Sequence, residues 1–128
     1  KVVFISSIVI DDRPPRVGMA PYVASKVALE TLAQAWQGEH PTVGFTTIAV
    51  GDTLTEKVGQ SPGEDVEKFV RAWVAAGIMP GRLMDADAVA EQVVNALASR
   101  ENVRRIAITP VPPEQPAAVE IPGYAEEA

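Results

Sequence analysis

Apolar and polar positions along this chain fall into short blocks, and the period of each block predicts its form. Val2 to Ser6 is a continuous apolar run with β-branched members, the mark of a strand buried on both faces. Asp11 to Gly18, "DDRPPRVG", carries two prolines among charges and reads as a loop. From Ala20 to Glu39 the pattern is helical, and Pro21 suits a first turn. That helix is apolar nearly all round, with Val23, Ala24, Val27, Ala28, Leu29, Leu32, Ala33, Ala35 and Trp36. Such a helix is expected to be buried on two sides, against a sheet and against a second helix.

Val43 to Val50 forms the next strand pattern, followed by the loop "GDTLTEKVGQSPG". Ser61, Pro62 and Glu64 have the spacing of a capping box. Val66, Phe69, Val70, Trp73 and Val74 then follow an i, i+3, i+4, i+7 stripe that ends at Gly77. Asp85 is placed to cap a further helix reaching Ser99, with Val89, Val93 and Leu97 on one stripe. Arg105 to Thr109 is the last strand. Strands alternating with helices predict an α/β fold, a three-stranded parallel sheet with helices on both faces. Residues 111–128, rich in proline and glutamate, read as an irregular tail. The chain opens inside a strand pattern without an initiating methionine, so the expectation is a fragment.

Composition narrows the chemistry. The net charge of −6 argues against nucleic acid or an anionic membrane as partner, since both call for a basic surface. With no cysteine and one histidine, thiol catalysis is excluded and no metal site is expected. No apolar run is long enough to span a bilayer, and a cytoplasmic location is expected. His40 reads as a surface residue, Trp36 and Trp73 as packing anchors, and the Asp11–Asp12 pair as a solvated loop.

Tyr22 and Lys26 are four apart on the long helix and therefore share a face. A fixed ammonium beside a phenol favours the phenolate, which prepares a tyrosine to exchange protons. Ser6 and Ser7 end a parallel strand, where ligands bind in open α/β sheets. A hydroxyl there suits a carbonyl oxygen. Ser6 is expected to be structural, turned to the backbone.

"FISS", "YVASK" and "IAVGDTLT" in this order resemble the short-chain dehydrogenases/reductases, in their single-domain branch. Tyr-x-x-x-Lys alone is a weak signal; joined to the serine strand and to "GDTLT" it becomes specific. The resemblance covers residues 1 to about 110 and implies the C-terminal half of a Rossmann-type doubly wound sheet. It implies Ser7, Tyr22 and Lys26 as catalytic residues, and Tyr22, Lys26, Gly51, Thr53 and Thr55 as cofactor-binding residues. The implied reaction interconverts a carbonyl and a secondary alcohol with NAD or NADP. In that family the backbone at Thr53 and the hydroxyl at Thr55 meet the nicotinamide carboxamide, and residues 56–84 would include a mobile lid helix.

Val50 stands where the family usually has proline, and "DDRPPR" lengthens the loop before Tyr22. Nothing matches the family's glycine-rich phosphate turn. The chain by itself is therefore expected to be inactive, and to associate with the missing N-terminal half or with a second copy. The alternative is a non-catalytic binding or assembly module that keeps this half-fold. A sugar-nucleotide epimerase, which shares Tyr-x-x-x-Lys, fits less well for lack of a long substrate domain.

Overall fold

The computed structural model describes residues 1–55, 64–79 and 81–112. Three strands, β1 (Val2–Ser7), β2 (Phe45–Val50) and β3 (Arg105–Ile108), form a parallel sheet in the order β1-β2-β3. Helix α1 (Ala20–Glu39) joins β1 to β2; α2 (Glu64–Ala75) and α3 (Ala86–Ala98) lie between β2 and β3. Both α1 and α3 pack on β1 and β2 without extensive contact with one another, which puts them on opposite faces. The result is an α/β fold consistent with a Rossmann-like half.

Each element follows from its residues. In β2, flanked on both edges, Phe45 to Ala49 are all buried, and Ile48 is 0% exposed. Register sets Ile48 between Ile5 and Ile106, and Ala49 between Ser6 and Ala107. Trp36 of α1 lies 6.1 Å from Phe4 and 6.2 Å from Phe45, ring centre to ring centre, which anchors the helix to the sheet. A short 3-10 turn, Ile8–Ile10, leads from β1 into the proline loop, and Val9 is buried beneath α1. Gly18 ends that loop at φ +82, the left-handed region that favours glycine.

Four expectations need correction. β1 is buried on both faces only at its end: Ser6 and Ser7 are buried, but Ile5 is 44% exposed, because among the described residues no strand or helix covers that edge. α1 is covered on one side only. Ala33 is buried against the sheet, while Val27, Leu32 and the alanines at 24, 28 and 35 face outward with no second helix over them among the described residues. Leu97 is exposed, and Ala96 takes the buried place on α3. Asp85 occupies the N-cap position of α3 without a side-chain capping bond.

Ser61, Pro62, the side chains of Glu64 and Val66, and the tail from 113 lie outside the described residues. Among the described residues no helix is long and apolar enough to cross a membrane.

Candidate active site

The C-terminal ends of parallel strands leave a crevice in which open α/β sheets bind ligands. Here the register sets Ser7 beside Val50, so the two hydroxyl-bearing segments, "SS" and "GDTLT", leave the sheet at the same level. Ser7 is buried, and its Oγ accepts a 3.4 Å hydrogen bond from the Val9 amide. Its own hydroxyl proton is not used by that bond. Ser6 departs from expectation: its Oγ is buried without a hydrogen-bond partner among the described residues, rather than turned to the backbone.

Tyr22 and Lys26 sit on the first turns of α1. Lys26 Nζ lies 5.6 Å from the centre of the Tyr22 ring and donates a 2.9 Å hydrogen bond to the Ile5 carbonyl of β1. That bond ties the ammonium to the strand two residues before Ser7. Tyr22 is 43% exposed, so its ring is open to solvent. A groove lined by Ala33, Gln37, Thr47, Arg104 and Arg105 lies elsewhere, between α1 and β2–β3, and neither Tyr22 nor Lys26 lines it.

Past β2, Gly51 is buried, and its amide donates to the Ile108 carbonyl at 2.8 Å. A Cβ at this position would lie 2.9 Å from the Ile108 oxygen and 3.0 Å from the Thr109 Cα. The close approach that Gly51 permits is thus made by the chain's own β3 exit. Gly51→Ala is expected to cost about 1–3 kcal/mol, because both obstacles are backbone. A shift in the urea midpoint measures it, and an unchanged midpoint would show that the two segments separate freely.

Thr53 forms a bridge with Met84 in which Met84 donates to the Asp52 carbonyl and Leu54 donates to the Met84 carbonyl, both at 2.9 Å. In a parallel bridge the groups flanking Thr53 make these bonds, so its own amide and carbonyl face away from Met84. Among the described residues they take no backbone partner. The Thr53 hydroxyl donates to the Gly51 carbonyl at 2.9 Å, and Thr55 is exposed.

Two arginines hold the acidic pair that follows β1. Arg105 of β3 binds Glu30 at 3.0 Å and Asp11 at 2.8 Å. Arg16 is buried and binds Asp12 at 2.6 Å and Asp52 at 2.7 Å. For both, burial opposes the charge, but carboxylates outweigh it and hold the guanidinium above its ordinary value: Asp52 and Asp12 for Arg16, Asp11 and Glu30 for Arg105. A raised arginine value means that, with the carboxylates ionised, the contribution is complete below the ordinary arginine range and is lost as pH rises above it. The acidic pair at 11 and 12 is therefore more than solvated loop, since each member holds an arginine. Sequence reading missed Arg16 and Asp52, because partners 36 positions apart share no local pattern.

Among the described residues no cluster of histidine, cysteine, aspartate or glutamate could hold a metal ion. No protein-family model matches the chain. Over 70 residues the chain is 39% identical to an uncharacterized oxidoreductase of Mycobacterium bovis, and equally to two of Mycobacterium tuberculosis. The matched stretch is 53% of this chain and 19% of each relative, so the chain spans about a fifth of the length of these curated relatives.

Proposed function

We propose that this chain carries the proton-transfer half of an oxidoreductase site of the short-chain dehydrogenase/reductase type, acting on a carbonyl or a secondary alcohol. The observation that carries the reading is the Lys26 ammonium held 5.6 Å from the centre of the Tyr22 ring while bonded to the Ile5 carbonyl of β1, two residues before Ser7. The oxidoreductase names of the mycobacterial relatives support the coarser reading.

The donor set suits the nicotinamide end of NAD or NADP. Lys26 retains ammonium protons beyond the one given to Ile5, and they would hold ribose hydroxyls. The Thr53 amide and carbonyl, turned from Met84, match the donor and acceptor of a carboxamide. The Thr55 hydroxyl and the Gly51 turn complete that side. The nicotinamide ring, when bound, supplies or takes up hydride.

The chain's own residues handle the proton. Ser7 directs its free hydroxyl proton to the substrate oxygen, while its Oγ is oriented by the Val9 amide. Tyr22 gives its phenolic proton to that oxygen as negative charge builds there, and takes it back in the oxidation direction. Lys26 steadies the negative charge left on the phenolic oxygen. Phe69 and Trp73 stack on one another on α2; on this reading α2 would cover the substrate side, which favours a moderately hydrophobic molecule.

NAD(P)H fluorescence titrated with the full-length gene product tests this reading. Saturable enhancement, weakened about tenfold or more by Lys26→Met, is expected, since losing a charged hydrogen-bond donor costs about 1.5–3 kcal/mol. No enhancement from folded wild-type protein would favour a non-catalytic assembly module. The open β1 edge around Ile5 and the outward face of α1 are read as contact surfaces for further chain or a second copy. A stable monomer of this chain in light scattering at micromolar concentration would oppose that part.

A further inference from the structure

Helix α2 makes no extensive contact with the strands or with the other helices among the described residues. What holds it is the loop from Arg16 to Gly18. Trp73 Nε1 donates to the Val17 carbonyl at 3.0 Å. The Phe69 ring lies so close over Gly18 that a Cβ there would meet it at 2.7 Å. The Arg16 guanidinium stands 5.5 Å from the centre of the Trp73 ring, within cation–π range.

The same guanidinium donates from all three of its nitrogens. Nε donates to Asp12 Oδ2 at 2.6 Å, and the two terminal nitrogens form a fork on Asp52, at 2.7 Å to Oδ1 and 3.1 Å to Oδ2. Arg16 is only 4% exposed. A desolvated, bidentate pair has one tight geometry, and losing it strands buried charge. Asp52 in turn accepts the Met84 amide through its carbonyl and precedes Thr53. One side chain therefore touches the loop leading to Tyr22, the exit loop of β2 and the aromatic face of α2.

We propose that Arg16 is a positioning residue that couples the seating of α2 to the set of the Asp52–Leu54 loop, so that the substrate side and the cofactor side of the site adjust together. For its effect on turnover this rests on the reading given under Proposed function; the coupling itself does not. Trp73 has no bond of its own to the β2 exit loop among the described residues, and reaches it through Arg16.

The experiment is hydrogen exchange on the full-length gene product, comparing wild type, Trp73→Leu and Arg16→Lys, with unfolding midpoints as a control on folding. Lysine keeps the charge and loses the fork. Both variants are expected to speed exchange about tenfold, a 1.4 kcal/mol change in local opening, in residues 64–79 and also at the Leu54 and Met84 amides that close the bridge at Thr53. Faster exchange in α2 alone with Trp73→Leu, and none at Leu54 and Met84, would overturn the coupling. In assays with NAD(P)H and a carbonyl substrate, both variants are expected to raise KM about tenfold with kcat within about threefold, and the double variant no further. Additive KM effects would also overturn it. Wild-type protein inactive with every carbonyl tried would count against the oxidoreductase reading, while the exchange result still decides the coupling.

Discussion

Replacing Tyr22 by phenylalanine in the full-length gene product is expected to lower kcat roughly a thousandfold, within the range for loss of a general acid. The affinity for NAD(P)H should change by less than about threefold, because Lys26 and the Thr53 backbone do most of the holding in the proposed site. Tyr22 is exposed and the change removes only its hydroxyl, so no cavity opens and no buried group loses a partner. Circular dichroism and the unfolding midpoint should match wild type. That separation matters: a large loss of turnover without a loss of fold assigns the effect to proton transfer. Turnover within about tenfold of wild type would remove Tyr22 from the chemistry.

The second large effect concerns the sheet. Ile48→Ala is expected to destabilise the protein by about 2–5 kcal/mol. Ile48 is wholly buried at the centre of β2, aligned with Ile5 on one side and Ile106 on the other. Removing its outer carbons leaves a hole that strands fixed by backbone hydrogen bonds cannot close. Against a typical net stability of about 5–15 kcal/mol, this is a large fraction. Urea unfolding should show a lower midpoint with an unchanged slope. A loss below about 1 kcal/mol would mean that the neighbouring layers collapse into the gap.

Much of this arrangement was legible in the sequence because it is local. The β-branched run before "SS", the proline entering α1 and the four-residue step from Tyr22 to Lys26 each announce themselves within one turn or one strand. The extent of α1, Ala20–Glu39, follows from that pattern. The burial of α1 does not. An apolar helix surface shows a capacity to be covered, and what covers it is a tertiary matter; Val27 and Leu32 remain outward for want of a neighbour among the described residues. The same holds for Ile5, whose strand character is local but whose exposure depends on the edge it occupies.

At the candidate site the division runs the same way. The positions of Ser7 and Gly51 at adjoining strand ends follow from strand order and register. Gly51 carries a meaning the motif does not convey, since it is the β3 exit that crowds it. Arg16 was invisible: it lies in a loop whose composition says only that the chain turns, and its partner Asp52 sits across the sheet end. A long-range ion pair leaves no period to detect. Yet it is the only buried arginine among the described residues, and its guanidinium faces the Trp73 ring of α2.

The most direct measurement is transfer of label from NAD(P)H carrying deuterium at the nicotinamide C4, incubated with the full-length gene product and a panel of hydrophobic ketones, with the alcohol read by mass spectrometry. Wild type is expected to place one deuterium at the carbinol carbon, and Tyr22→Phe to reduce alcohol formation roughly a thousandfold. Folded wild-type protein that binds the cofactor but forms no labelled alcohol, or a phenylalanine variant that forms it at the wild-type rate, would rule out proton transfer by Tyr22 to a carbonyl substrate.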